Sequence, residues 1–507
     1  MRLRPAAGWC GIAIAIVVVA SAFDRYAHWR LDRHLDDAAA TTLAAALHGQ
    51  SPWRWDLRRE RDVIAGRAFG PATTHFDASG LHVVATSDAS VQVGLVLNRP
   101  VDLAHFDRLD VTVATPAPLD VSFVLRETLA SAECRSAVAR FDAGDNRIEL
   151  GSLGWQCAES TQAMPERAEM LRLQFELRRG QAFALRAASL HPATAMRADP
   201  AVFGAPHRLP PGLDDDALAA FGAKWANEAQ PLVELPGDAR VEQALATRDA
   251  LWRTIPAAIP IAAGSADRVL AEAQALPWPP DAAFPIRAWI VAASWGLLLF
   301  GLRLRLPRAP RARALFGILA VLGGPLWFAL VPGDAAASGA MVVASLAFAA
   351  SIARQGTDWR LLGSASSWIL PVLSVLAALA LVAALRDGSP VVAREEELPE
   401  YVLRYLAWAA IQQWLVCTIL MDRASIVFGT GRAAVLFTSV VFALMHAPNP
   451  MLMQLTLAGG LVWTANWLRH RALLPNLVAH ATCGIVLANA LPREWLRSAE
   501  VGIRYFF

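Results

Sequence analysis

Polar side chains are concentrated in the last third of a chain whose second half is otherwise strongly apolar. Most of them are imidazoles and side-chain amides. The group comprises Gln412, Gln413, His446, Gln454, Asn466, Asn476, His480 and Asn489. A neutral imidazole can accept or donate a proton near pH 7, and an amide can donate and accept hydrogen bonds. Together these groups could orient a water for hydrolysis and stabilise an oxyanion.

The spacing of these residues predicts one shared pocket. Phe442 and His446 are four residues apart, so they lie on one face of a helix. Two prolines follow His446 closely, and the helix must end there. Polar side chains within a bilayer usually face the bundle interior. We therefore expect three helices to bring residues 412–413, His446 and His480 together, with Phe442 and Asn466 contacting the substrate.

Eight apolar stretches indicate the helices that must position these side chains. Each is close to the ~20 residues with which a helix crosses ~30 Å of hydrocarbon. They lie near residues 286–302, 314–332, 338–353, 361–385, 402–421, 433–447, 451–468 and 473–491. The sequence thus predicts a polytopic α-helical membrane bundle of about eight spans. Residues 286–401 would be accessory helices, and residues 402–507 would hold the pocket.

The amino terminus indicates export of the segment that follows it. Arg2 and Arg4 precede an apolar stretch over residues 9–23, which is long enough for a signal anchor. Residues 20–22, Ala-Ser-Ala, also fit the cleavage site of a signal peptide. Residues 1–23 are therefore either a signal anchor or a removed signal peptide, and both alternatives stay open.

The distribution of arginine predicts the orientation of the bundle. Arginine-rich links at 303–313, 354–360, 422–432 and 469–471 alternate with arginine-poor ones, and the acidic link 394–400 falls on the opposite side. By the positive-inside rule, residues 24–285 would then be extracytoplasmic. Basic residues are almost all arginine, with Lys224 the one lysine. That bias suggests a GC-rich bacterial genome and hence a bacterial cytoplasmic (inner) membrane.

A second type of pattern occupies residues 24–198. Apolar and polar residues alternate in "LHVVATS", "VQVGLVL", "LDVTVAT", "DVSFVLRE" and "LRLQFELRRGQAFALRAASL". Short alternating segments separated by turn residues predict an antiparallel β-sandwich. We expect Phe106, Phe123, Phe175 and Phe183 in its core. The pattern is similar to jelly-roll modules, which implies a carbohydrate or a protein as ligand.

The remaining segments carry fewer signals. Residues 199–285 are rich in Pro and Ala and are expected to form a helical, Pro-rich linker, with one helix near residues 238–255. The five cysteines are too scattered for a zinc ribbon. Cys134 and Cys157 share one polar region, and an oxidising compartment would allow a disulfide between them.

Composition limits the partners. Hydrophobic residues make up 55% of the 507 residues, charged residues 18%, and the formal net charge is +2. A nearly neutral, apolar chain has no general attraction to nucleic acid, so the lipid bilayer is the expected environment. No cofactor is expected.

At the residues of the pocket, the last hundred or so positions resemble the CAAX-protease and bacteriocin-processing family of intramembrane endopeptidases. That family carries Glu-Glu-x-x-x-Arg, Phe-x-x-x-His and His-x-x-x-Asn motifs on successive helices. The second is present as "FALMH", residues 442–446, and His480 matches the third. At the first motif the glutamates are replaced by Gln412 and Gln413, and the arginine by Cys417. Gly484 stands at the final asparagine position.

The resemblance implies proteolysis of a peptide or protein substrate at the membrane. In the family a glutamate activates water, while histidines hold the water and the oxyanion. Glutamine has no titratable site, so the loss of this base should remove much of the ~10²–10⁴-fold that such a group contributes. Two functional hypotheses follow: a peptidase that uses His446 or His480 as base, and a pseudoprotease that binds a membrane peptide or a lipid-linked partner.

Two further hypotheses compete with these. Two histidines without a carboxylate leave a catalytic zinc short of its usual three ligands, so no metal site is expected. Alternatively, the amides and imidazoles only link the helices, each hydrogen bond contributing about 0.6–2 kcal/mol.

Overall fold

The computed structural model describes most of the chain. The described residues are 4–58, 60–97, 99–128, 131–157, 164–192, 205–213, 215–225, 231–277, 286–305, 307–331, 335–353, 359–385, 398–429, 431–491, 493–497 and 501–506. They form two compact units. One comprises Met1–Leu31, Arg240–Gln243 and Ala283–Phe506, and the other comprises Asp32–Ala239, Ala244–Ala282 and Phe507.

The first helix is longer than the predicted anchor. Helix α1 runs from Arg4 to Leu47 without interruption. No glycine or proline occurs between residues 24 and 47, so nothing in the sequence stops the helix after the apolar stretch. It ends where Gly49 adopts a positive φ of 65° and Pro52 follows, a common helix stop.

The described residues from 53 to 191 form two large antiparallel sheets and a separate two-stranded pairing of Val101–Asp102 with Arg167–Ala168. Their strands are β1 (Arg54–Trp55), β2 (Ala72–Asp77), β3 (Gly80–Ala85), β4 (Ala89–Leu95), β5 (Val101–Asp102), β6 (Arg108–Ala114), β7 (Leu119–Arg126), β8 (Cys134–Ser136), β9 (Ala139–Phe141), β10 (Gly144–Glu149), β11 (Trp155–Cys157), β12 (Arg167–Ala168), β13 (Met170–Leu177) and β14 (Ala182–His191). One sheet has the order β10-β6-β14-β3-β2, with β1 on β14. The other has the order β11-β8-β7-β13-β4, with β9 on β7.

The two sheets share one apolar core, as the alternating pattern predicts. Phe175 on β13 and Phe183 on β14 belong to different sheets, and their ring centroids are 4.5 Å apart. Phe106 and Phe123 are buried in the same core. The four phenylalanines are therefore core residues, and burial of each contributes roughly 1.5–3 kcal/mol.

Cys134 and Cys157 form a disulfide within the second sheet. The two residues are directly opposite each other in the β8–β11 pairing. The bond thus closes the edge of this sheet.

Residues 205–277 are more ordered than the predicted linker. They contain the parallel strands β15 (His207–Arg208), β16 (Leu232–Glu234) and β17 (Ile259–Ile261), and the helices α2 (Asp215–Gly222), α3 (Val241–Thr254) and α4 (Ala266–Ala275). Leu43 of α1 packs with Ile261 and Val269. The expected helix near 238–255 is α3. The strands escaped detection because strands of two or three residues are too short to show a period.

The other unit is helical. Its helices are α5 (Ile286–Leu304), α6 (Pro310–Leu330), α7 (Ala335–Ala353), α8 (Ile369–Leu385), α9 (Leu398–Gln413), α10 (Asp422–Phe428), α11 (Arg432–Leu444), α12 (Pro450–His470), α13 (Leu474–Ala490) and α14 (Arg493–Leu496). Within the described ranges, three helical segments are long and apolar enough to cross a membrane: Ile286–Leu304, Pro310–Leu330 and Ala365–Leu385. The count of eight spans stays a prediction.

A π-helix, Trp414–Met421, joins α9 to α10. The chain is therefore helical from Leu398 to Phe428, whereas the sequence predicts a link from residue 422. Gly429, with φ 86°, ends it. Wide π-turns inside helices occur frequently at functional sites. This one begins directly after Gln413.

An ion pair holds the end of this helix. Asp422 is 8% exposed and accepts hydrogen bonds from Trp467 Nε1, at 3.1 Å, and from Arg471 Nη1. Arg471 also lies over the Trp467 ring, 5.6 Å from its centroid. The arginine therefore neutralises a carboxylate that is almost fully buried.

Replacing Arg471 with methionine should destabilise the helical unit by about 3 kcal/mol, because a buried carboxylate without its cation is strongly unfavourable. The measurement is unfolding by SDS in mixed detergent micelles. Arg469→Met is the matched control, since Arg469 is exposed in the same helical turn. The double variant Asp422→Asn, Arg471→Met should recover most of the loss. Equal stability of the Arg471→Met and Arg469→Met variants would contradict the role of the pair.

Candidate active site

His446 is positioned by the end of α11. It lies two residues after Leu444, where the chain leaves the helix toward Pro448. Its Nδ1 is 2.8 Å from the carbonyl oxygen of Phe442. A carbonyl can only accept, so Nδ1 carries the proton and Nε2 keeps a free lone pair. The spacing of the Phe-x-x-x-His motif thus fixes the tautomer of the imidazole.

Phe442 connects the two histidines. Its side chain is fully buried, and its ring meets His446 edge-on at 4.9 Å and His480 edge-on at 5.5 Å between centroids. Trp463 of α12 lies on the other side, 5.0 Å from His480. The imidazoles are 8% and 4% exposed. Helices α11 and α13 thus bring two buried imidazoles to the ring of Phe442, and α12 adds the indole of Trp463.

Gln413 binds His480 directly. Its Nε2 is 3.2 Å from His480 Nδ1, and its Oε1 accepts from the Cys417 thiol at 3.4 Å. Its side chain is fully buried at the end of α9. The amide therefore connects His480 of α13 to Cys417 of the π-helix.

Two asparagines fix the direction of these hydrogen bonds. Asn466 donates to the Ser367 carbonyl at 3.0 Å and to Asn476 Oδ1 at 2.9 Å. Asn476 donates to the Trp463 carbonyl at 2.9 Å and to Cys417 Sγ at 3.7 Å. Since carbonyls only accept, the orientation of both amides is determined.

The donor-to-acceptor direction of these hydrogen bonds continues to His480. Cys417 already accepts from Asn476, so its S–H donates to Gln413 Oε1, and Gln413 Nε2 donates to His480 Nδ1. The Nδ1 of His480 is then an acceptor, and its Nε2 carries the proton. The two histidines are opposite tautomers: His446 presents an acceptor at Nε2, and His480 presents a donor.

This arrangement suits the hydrolysis of an acyl group. An acceptor can take a proton from water, and a preorganised donor can stabilise the oxyanion that develops on the attacked carbonyl. Burial strengthens both interactions, because few waters compete with them.

Most of the predicted site residues lie in this buried cluster of side chains. Phe442, His446, His480 and Gln413 meet there, and Asn466 reaches His480 through the hydrogen-bonded chain. Gln412 is half-buried, and the connections of the pocket run through its neighbour. The first motif thus contributes one glutamine to the network.

Trp463, Asn476 and Cys417 are functional candidates to which the sequence gives no role. Asn476 is detectable as a polar residue in an apolar span. Cys417 and Trp463 carry no such signal, because a small thiol and an indole are ordinary packing residues in membrane helices.

In the part of the chain that the structure describes, no carboxylate is hydrogen-bonded to either imidazole. Asp422 is held by Arg471 and Trp467. Residues 395–397, the glutamates of the acidic link, lie outside the described residues. Among the described residues, no group of three His, Cys, Asp or Glu side chains could hold a metal ion.

Comparison with known proteins is informative for one region of the chain. No curated protein matches the sequence. Residues 395–486 match the family model described as type II CAAX prenyl endopeptidase Rce1-like. The matched region contains both histidines, Gln413 and the π-helix. The resemblance to the CAAX-protease and bacteriocin-processing family, whose members are membrane-embedded endopeptidases, is therefore confirmed for residues 395–486 of the carboxy-terminal region.

Proposed function

We propose that the chain is a membrane-embedded endopeptidase that hydrolyses a peptide or protein substrate at the membrane, with His446 as general base. The observation that carries this proposal is the pair of opposite tautomers, which hydrogen bonds to Phe442 and Gln413 impose on His446 and His480. A proton acceptor and a hydrogen-bond donor are then available on two imidazoles that contact the same phenylalanine ring.

The reaction balances with these groups alone. The water oxygen attacks the peptide carbonyl carbon while His446 Nε2 takes the water proton. The carbonyl oxygen becomes an oxyanion and accepts from His480 Nε2–H. The carbon–nitrogen bond then breaks, and the imidazolium of His446 returns its proton to the leaving amine. No metal or other cofactor is needed.

Gln413 has a positioning role in this scheme. It cannot take a proton, but it fixes the ring and the tautomer of His480, which carries the donor. Asn466 acts through the same chain of hydrogen bonds, and Phe442 holds both rings. His446 and His480 are the catalytic residues.

The test is cleavage of an internally quenched, farnesylated peptide that ends in a Cys-a-a-X sequence, the substrate class named by the matched family. Protein purified in detergent should release fluorescence with saturation in peptide concentration, and mass spectrometry should identify one cleaved bond. Protein that binds the peptide without turning it over would overturn the assignment.

A pseudoprotease is the second candidate. It is favoured by the absence, among the described residues, of a carboxylate bound to either imidazole, together with Gln413 in the motif position of a glutamate. Such a protein would bind a membrane peptide or a lipid-linked partner and leave it intact. Glutamate substitutions at Gln412 and Gln413 separate the two candidates, because the endopeptidase should lose cleavage activity and the pseudoprotease should gain it.

We also propose that the sandwich lies outside a bacterial inner membrane. The arginine-rich links of the helical unit and the Cys134–Cys157 disulfide support this location, because disulfides persist in oxidising compartments. A carbohydrate or a protein is the ligand proposed for the sandwich.

This orientation predicts a labelling pattern. Ala78→Cys, in the exposed β2–β3 turn, should react with a membrane-impermeant maleimide in intact spheroplasts. Ala309→Cys, in the exposed link before α6, should react only after permeabilisation. The parent chain sets the background from its own cysteines. Labelling of Ala309→Cys alone in intact spheroplasts would reverse the orientation.

A further inference from the structure

Gly484 lies in close contact with a tyrosine of another helix. It lies four residues after His480, on the same face of α13. A Cβ built at residue 484 would lie 1.9 Å from the hydroxyl oxygen of Tyr405 and 2.6 Å from its Cζ. The phenol therefore occupies the volume that any side chain at 484 would need.

Tyr405 reaches this position from α9. It precedes Gln413 by eight residues, which is about two turns, so both side chains lie on the same side of their helix and both contact α13. Its ring is edge-on to His480, with 6.5 Å between centroids. No described residue accepts a hydrogen bond from its hydroxyl. An O–H donor is thus available beside His480.

The Tyr405 hydroxyl occupies the place where the related motif has a hydrogen-bond donor. In the family that the sequence resembles, an asparagine at the position of Gly484 would place an amide donor one turn after the histidine. Here glycine removes that side chain, and the Tyr405 hydroxyl fills the same space. Both a carboxamide N–H and a phenol O–H can donate to a negatively charged oxygen.

We propose that Tyr405 is a catalytic residue whose hydroxyl donates the second hydrogen bond to the oxyanion, beside His480 Nε2–H. This inference rests on the proposed endopeptidase activity. It makes Tyr405 and Gly484 a matched pair, in which the donor is supplied by α9 instead of α13.

The first test uses the farnesylated peptide. Tyr405→Phe removes one oxygen and keeps the ring, so kcat should fall by about 10²–10³-fold with little change in KM, the usual effect of losing one oxyanion donor. Tyr401→Phe is the matched control, because Tyr401 is one turn away on α9, with 6.1 Å between the two rings. Equal kcat for Tyr405→Phe and the parent would overturn the proposal.

A second variant tests the exchange of positions. Tyr405→Ala with Gly484→Asn moves the donor back to α13. The kcat of this double variant should be at least about tenfold higher than that of Tyr405→Ala alone. Gly484→Asn with Tyr405 retained should be inactive, because the two side chains claim one volume. A double variant no better than Tyr405→Ala would contradict the assignment of the hydroxyl as a donor.

A binding measurement keeps the inference separate from turnover. A farnesylated peptide aldehyde, whose hydrate forms in water and resembles the tetrahedral intermediate, should bind the parent more tightly than the corresponding peptide alcohol. Tyr405→Phe should reduce that preference, since only the His480 donor remains, and should leave the affinity for the alcohol unchanged. If the parent shows this preference without cleaving peptide, the proposed function fails while the role of Tyr405 stands. A parent without the preference overturns the role of Tyr405.

Discussion

His446→Ala should lower kcat for the farnesylated peptide by about 10²–10⁴-fold, the range that a general base contributes. Cleavage depends on the lone pair at Nε2, which the Nδ1 hydrogen bond to Phe442 leaves free. Alanine removes both the Nε2 lone pair and the Nδ1 hydrogen bond. KM should change little, because the imidazole acts on the water and not on the bound peptide.

His470→Ala is the matched control for this variant. His470 ends α12 and is only partly buried, outside the contacts that connect the two catalytic imidazoles. Its removal should leave kcat within about twofold of the parent, as expected for a residue away from the reacting atoms. Melting curves in detergent establish whether both variants fold. A folded His446→Ala protein with parental kcat would disprove the assignment of the base.

Gln413→Glu should lower kcat by about 10²–10³-fold, because it reverses the tautomer of His480 and removes one oxyanion donor. A carboxylate at 413 would receive hydrogen bonds from the Cys417 thiol and the imidazole, which favours its ionised form. The imidazole then carries its proton on Nδ1, and Nε2 becomes an acceptor. The measurement is kcat beside the parent under the same conditions.

Gln412→Glu is the control for this substitution. It makes the same chemical change one residue away, at a half-buried side chain outside the network, so its kcat should remain close to that of the parent. If the protein is a pseudoprotease, glutamate substitution should raise kcat instead of lowering it. If the parent is inactive and the double variant Gln412→Glu, Gln413→Glu gains cleavage, the pocket is a binding site that lost its base.

The parts of the fold that sequence predicts best are those with a clear period. Strands β3, β4, β6, β7, β13 and β14 follow from alternation, because every second residue of each is an apolar side chain in the core and a shift by one residue would move that set away from the core. The parallel strands β15–β17 have no such signal. Strands β16 and β17 are buried at all three residues, and β15 has only two residues, so none of the three shows an alternating pattern and the sequence predicts a linker there.

The candidate site is predictable where the contacts are local. Phe442 and His446 are on one helical turn, and their hydrogen bond follows from their spacing alone. Asn476 could be named as a polar residue, but its partners on α12 and the π-helix could not. The contact of Tyr405 with Gly484 depends on the close packing of α9 and α13, and hydropathy patterns do not indicate which helices pack together.

The chain of side chains from Asn466 to His480 contains amides, a thiol and an imidazole, and none of them is formally charged. Gln413 and Cys417 align with the glutamate and the arginine of the first motif in the family that the sequence resembles, and here the side chains at these positions form a relay of neutral dipoles. Such a relay carries no Born penalty for entering a low-permittivity environment and requires no counter-ion. The tautomer of His480 should therefore be insensitive to ionic strength, because mobile ions have no net charge to screen.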